Sequence, residues 1–171
     1  APINKANIQK NQPEFIGHTE FLGVQFKGDQ LMIMLSDSMR IAFVTGHIPL
    51  SEVAASLSEN KIFSKIKQLS QSLIQDFRIS KPKIAVIGLN PHAGEDGMLG
   101  KEEKEIISPA IQKAKQQNIL VFGPYSADSF FTKENLKNFD GVLAMYHDQG
   151  LTPFKTLSFS EGINYTAGLS I

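Results

Sequence analysis

Three short, unbroken apolar runs recur through the second half of the chain, at 83–89, 119–123 and 141–145. Each is short for a helix and too continuous for a strand with one wet face. Runs of this kind suit parallel or central strands that are covered on both sides. Stretches of helical period separate them. Ile106, Ile107, Ala110, Ile111 and Ala114 return at steps of three and four, which places them on one helical face. Helical material recurs near Phe130 and over 132–139. Alternation of strand and helix predicts an α/β fold, a wound and mostly parallel sheet flanked by helices.

The first half fits the same plan. Runs at 30–35 and 40–45 flank the turn-forming Ser36, Asp37 and Ser38, and read as a hairpin. Pro49 and Ser51 open a helical region. Ile62, Ile66, Leu69, Leu73 and Phe77 mark one face of a longer helix, which Ser58, Glu59 and Asn60 separate from the first. Residues 90–100 contain three glycines and a proline and read as a loop. Pro109 interrupts the following helical pattern. Either it kinks that helix, or Ser108 caps a new one with proline at its first position.

The 171 residues suffice for one sizeable domain or two small ones. Seventeen basic and seventeen acidic residues cancel, so there is no electrostatic basis for a nucleic-acid partner or an anionic membrane. No cysteine is present, which excludes disulfides and thiolate metal sites; a reducing cytoplasm is compatible with this. No apolar run approaches the roughly 18 residues of a spanning helix, and the start has no signal-peptide pattern. The chain opens at Ala1 without methionine and stops at Ile171 within a strand-like stretch. It therefore reads as a segment of a longer protein.

The chemistry-bearing residues gather where strands end. His47, His92 and His147 each stand in a loop after an apolar run; His18 is the fourth histidine. In wound sheets ligands bind outside the carboxyl ends of the strands, so His92 and His147 are expected on one rim. Neutral imidazole is the commonest metal ligand, yet separations of 45 and 55 residues match no local metal motif. On spacing alone, loop histidines and a nitrogen-ligated divalent ion are both admissible. Asp128 and Asp148 also follow strands, and serve either as supports or proton carriers beside a metal or as turn and cap residues. Lys155, after the loop-like 150–154, either binds an anion or is solvated. Asn164 either orients a ligand or makes a turn.

The segments Gly88-Leu89-Asn90-Pro91-His92-Ala93-Gly94-Glu95 and Ala144-Met145-Tyr146-His147-Asp148-Gln149-Gly150-Leu151 resemble the 4-hydroxythreonine-4-phosphate dehydrogenase family of pyridoxal phosphate biosynthesis. Gly17-His18-Thr19-Glu20-Phe21 and Gly123-Pro124-Tyr125-Ser126-Ala127-Asp128 fit the same family in the same order. The resemblance runs the length of the chain and corresponds to about the middle half of a family member. The family's glycine- and proline-rich N-terminal motif is missing. A substrate-binding arginine just past the present end and the C-terminal segment are missing as well. Residues 96–100 depart from the family's commoner wording.

The resemblance implies a two-lobed fold like that of isocitrate and isopropylmalate dehydrogenases. It implies oxidation of 4-phosphooxy-L-threonine with NAD, followed by decarboxylation to 3-amino-2-oxopropyl phosphate. It assigns His47, His92 and His147 to a divalent metal (zinc, magnesium or cobalt), and His18, Thr19, Lys155 and Asn164 to the phosphorylated substrate. Asp128, Asp148 and Lys155 become the catalytic candidates, and no residue is assigned to the nicotinamide. It also implies a cytoplasmic homodimer with metal and active site shared across the interface. Two other readings stand beside it: a non-catalytic metal-binding or dimerisation module, and a metal-dependent phosphoester hydrolase.

Overall fold

The computed structural model describes residues 30–158 and 161–168. Among the described residues, six strands form one sheet: β1 (Leu31–Leu35), β2 (Arg40–Phe43), β3 (Lys83–Ile87), β4 (Leu120–Tyr125), β5 (Gly141–Ala144) and β6 (Ile163–Ala167). Their spatial order is β4-β3-β5-β2-β1-β6. The β3–β4, β3–β5 and β2–β5 pairs are parallel, whereas β1 runs antiparallel to both β2 and β6. The expected hairpin is therefore present, and the remainder is a mostly parallel sheet.

Burial explains the unbroken apolar runs. Along β3, Ile84 and Val86 enter one core while Ala85 and Ile87 enter the other. Along β5, Leu143 and Met145 alternate with Val142 and Ala144 in the same way. Successive side chains point to opposite faces, so a strand covered on both sides has no polar positions. One face carries α1 (Leu50–Ser56), α2 (Glu59–Gln75) and α3 (Ser108–Gln116). Helix α2 buries Ile62, Ile66, Leu69 and Leu73 completely, each contributing about 2 kcal/mol. Ser58 caps it, its side chain accepting from Lys61 N–H. The opposite face carries α4 (Ala127–Phe130), α5 (Lys133–Leu136) and α6 (His147–Ser158), through Phe130, Leu136 and Phe154.

Two local expectations are revised. Residues 150–154, read as a loop before Lys155, lie within α6. Gly150 lets this helix approach the sheet directly, because a Cβ there would meet Ile41, Phe43 and Ala144. That close packing and the burial of Phe154 offset the cost of Pro153 inside the helix, about 3 kcal/mol. Pro109 is the second residue of α3, not its first, and Ser108 is not its cap. A π turn (Glu103–Ile107) runs straight into α3, Ser108 N–H reaching back to Glu103 C=O, and Pro109 falls where the register shifts. Residues 90–100 are the expected loop in a compact form: Pro91–Gly97 is tightly turned, with non-helical, left-handed backbone from His92 to Asp96.

Strand order creates a switch point. The chain leaves β3 across one face toward β4, and leaves β5 across the other face toward α6. The crevice between neighbouring strands whose connections diverge is where open α/β sheets bind ligands.

Candidate functional site

Since β2, β3, β4 and β5 are parallel, the loops carrying His47, His92, Asp128 and His147 all emerge at one rim. Strand β5 lies between β2 and β3, so His147 leaves the sheet between the other two histidines. The β2–β5 pairing continues past the strands: Val44 N–H donates to Ala144 C=O (2.9 Å), and Thr45 N–H and Oγ1–H both donate to Met145 C=O (3.2 and 2.9 Å). This ladder brings two turns together. Ile48 N–H bonds Gly46 C=O (3.0 Å), closing a three-residue turn with His47 at its tip. His147 opens α6, and its ring centre lies 4.9 Å from that of His47. Its other side rests on the Phe43 ring, at 5.8 Å. His147 Nδ1 contacts Asp148 Oδ1 at 2.6 Å, the kind of carboxylate contact that fixes the ring and leaves its other nitrogen for a ligand.

His92 sits in the left-handed turn. His92, Ala93, Glu95 and Asp96 all have φ between 41° and 55°, a conformation that costs about 1–2 kcal/mol for each L-residue. The turn is gripped from below by a residue that the sequence reading missed. Glu103 is buried and accepts from Leu89 N–H (2.7 Å), Asn90 N–H (2.7 Å) and Asn90 Nδ2 (2.9 Å). His92 Nδ1 stands 3.8 Å from Asp128 Oδ2. The Asp128 carboxyl is held below its ordinary range, chiefly by the Ser126 hydroxyl at 2.5 Å and further by the nearby His92. It is thus ionised at neutral pH, an acceptor rather than an acid.

A second missed residue closes the switch point. Buried Gln149 accepts from Met145 N–H (2.7 Å) and donates to Gly88 C=O (2.6 Å), tying the His147 loop to the root of the His92 loop. Periodicity held one signal for Glu103: it extends the buried stripe of Ile107, Ala110, Ile111 and Ala114 one turn backward. Gln149 left no such trace.

A cleft of about 400 Å³ opens beside His47 and His147, with Ile48, Tyr146 and Asp148 among its walls. A second, of about 570 Å³, lies between α4 and α6 and is bordered by Asp128, Phe131, Tyr146 and Asp148. Tyr146 and Asp148 line both.

The remaining expected site residues divide. Lys155 is exposed near the far end of α6, eight residues beyond His147, about 12 Å along a helix axis. Asn164 is neither a turn residue nor near the histidines. It is exposed within β6, opposite Met34, which in turn faces Ile41 near the start of β2. It therefore belongs to the opposite rim. Ser158, at the end of α6, confirms that geometry by bonding Ser36 Oγ (2.9 Å) in the β1–β2 turn. His18 and Thr19 lie outside the described residues. Among the described residues, no three histidine or carboxylate groups of one chain form a metal-holding set. The spacing of two imidazoles is compatible with a shared ion. Metal–nitrogen bonds of about 2.0–2.1 Å put ring centres on one tetrahedral cation about 5 Å apart, close to the His47–His147 spacing.

Comparison with known proteins accounts for this architecture. The family model described as "Pyridoxal phosphate biosynthetic protein PdxA" matches residues 1–171. A 4-hydroxythreonine-4-phosphate dehydrogenase of Bacteroides thetaiotaomicron is 48% identical over 100% of this chain and 48% of its own length. One of Desulforapulum autotrophicum is 46% identical over 99% of this chain and 50% of its own. The crystal structure of the Klebsiella pneumoniae 4-hydroxythreonine-4-phosphate dehydrogenase superposes with a TM-score of 0.86 at 35% identity, over 100% of this chain and 52% of that one. The chain spans about half the length of the curated relatives it matches. With a match along its whole length, rim histidines and shared fold, the chain belongs to the PdxA family of pyridoxal phosphate biosynthesis.

Proposed function

We propose that the protein containing this chain is a cytoplasmic, homodimeric dehydrogenase. It oxidises the hydroxyl-bearing carbon of 4-phosphooxy-L-threonine with NAD as hydride acceptor. The β-keto acid so formed loses carbon dioxide to give 3-amino-2-oxopropyl phosphate. The observation that carries this reading is the His47–His147 pair, 4.9 Å between ring centres, at the carboxyl rim of the sheet. The activity for which the relatives are named supplies the substrate class.

The residue roles are those the family resemblance implies, and the His47–His147 spacing supports part of them. His47, His92 and His147 hold a divalent metal, His92 converging with the others across two copies of the chain. An all-nitrogen set suits zinc or cobalt better than magnesium, which prefers oxygen. The ion, when bound, lowers the pKa of the substrate hydroxyl and stabilises the charge that develops on decarboxylation. Asp148 fixes the His147 ring through Nδ1. Asp128, kept ionised by Ser126, orients His92. Lys155 and Asn164, with His18 and Thr19, bind the phosphate and amino-acid ends of the substrate. Lys155 and Asn164 stand away from the histidine rim, so their complement comes from the partner subunit.

The test uses the full-length protein. NADH formation is followed with the substrate before chelation, after chelation, and after return of zinc, cobalt or magnesium. Activity that vanishes with chelator and returns with zinc or cobalt is expected. Turnover unaffected by exhaustive chelation, or no NADH from the metal-loaded enzyme, overturns the assignment.

A further inference from the structure

We propose that Glu103 is a positioning residue for His92: its buried carboxylate grips the backbone entering the left-handed turn and so fixes where that imidazole is presented. This rests on the metal-assisted reading above. Among the described residues Glu103 is the one carboxylate or basic side chain in the buried class, at 5% exposure. A buried charge persists only where hydrogen bonds replace water, and here three N–H donors do so. Two come from consecutive backbone amides, Leu89 and Asn90, and converge on one oxygen at 2.7 Å each. The other oxygen takes the Asn90 side-chain amide, which also reaches Glu102 at 2.8 Å. The donors belong to the two residues before Pro91, and the left-handed segment begins one residue later, at His92.

The fit is close from both directions. A Cβ at Gly88 would lie 3.1 Å from Glu103 Oε1, and one at Gly94 2.6 Å from Glu103 Oε2. The carboxylate is therefore packed between the entry to the turn and its middle, with His92 on the arc between. A neutral amide could not replace it. Gln offers one acceptor oxygen, and its NH₂ would confront the Asn90 amide donor. Charge-assisted bonds of this kind are directional, so their loss leaves a backbone-strained turn free to relax and carries His92 with it.

The test is cobalt binding to the full-length protein, read by affinity and by the cobalt d–d absorption bands, which report ligand number and geometry. The variants are E103Q and G94A. G94A keeps the carboxylate but sets a methyl group 2.6 Å from its resting place, so the carboxylate must shift, and a side chain at φ 80° adds strain to the turn. Wild type is expected to bind cobalt with ordered bands. E103Q, folded by circular dichroism, is expected to bind 10- to 100-fold more weakly, the range for groups that support metal ligands, with altered bands. G94A should shift the bands in the same sense. Wild-type affinity and spectrum in folded E103Q overturn the proposal, whatever the change in thermal midpoint. If E103Q does not fold, G94A decides by the same readouts, and an unchanged spectrum there overturns it. No cobalt binding by wild type instead refutes the metal reading beneath it.

Discussion

Ser126, not His92, is the stronger influence on the Asp128 carboxyl, although the histidine is the more conspicuous neighbour. We expect S126A to raise the Asp128 pKa toward the ordinary carboxylate value by more than H92A does. Carbon-detected NMR titration of the side chain measures both. The direction of the pH effect follows. A carboxyl whose folded pKa is depressed adds stability that is present above its unfolded pKa and is lost as pH falls through the folded value. The window therefore lies below about pH 4. Asp128 is exposed, so this contribution is small beside the buried contacts of the same loops. Sequence reading selected both aspartates and all three rim histidines by their place after strands. It missed Glu103 and Gln149, whose importance comes from which backbone groups they satisfy, and those partners lie 13 and 61 residues away.

Elements carry the site through two contacts of α6. Gln149 joins the end of β5 to the end of β3, and Gly150 lets the helix rest on β2 and β5. Q149L keeps the bulk but strands Gly88 C=O and Met145 N–H. Buried unsatisfied groups cost about 1–3 kcal/mol each, so we expect a loss of about 2–6 kcal/mol in urea unfolding. G150A places a methyl against Ile41 and Phe43. Overpacking of this kind costs about 1–3 kcal/mol, and lifting the helix should also weaken metal binding through His147. A drop in unfolding free energy with unchanged cobalt affinity would separate the helix's packing from its role in the site. The longer periodic helix and the paired apolar runs were legible because amphipathic and doubly covered elements write their burial into local sequence. Helix α6 was not, since Gly150 and Pro153 are poor helix formers and tertiary packing overrides them.

At the largest scale, the described residues divide the proposed site residues between two rims. In one chain, His47 and Asn164 stand at opposite ends of the β2–β1–β6 half of the sheet. A site using both needs two copies, with the histidine from one and the asparagine from the other. That arrangement predicts complementation. H47A and N164A are each expected to be inactive alone. After mixing and subunit exchange, every heterodimer has one intact site and one doubly damaged site. Random exchange then restores about a quarter of wild-type activity, the statistical share for a two-fold dimer. NADH formation measures it, and no recovery after verified exchange would place both residues in the same subunit's site.

Local pattern determined the α/β class, the hairpin, the main helices and the ranking of rim residues, because strand and helix periods and turn chemistry act over a few neighbouring positions. Strand order and the grip of Glu103 and Gln149 on distant backbone were decided only in three dimensions. So were the meeting of His47 with His147 and the removal of Asn164 to the other rim. Each depends on which segments become neighbours after the chain crosses its own sheet, and hydrophobic periodicity, which is blind to partner identity, carries no record of that choice.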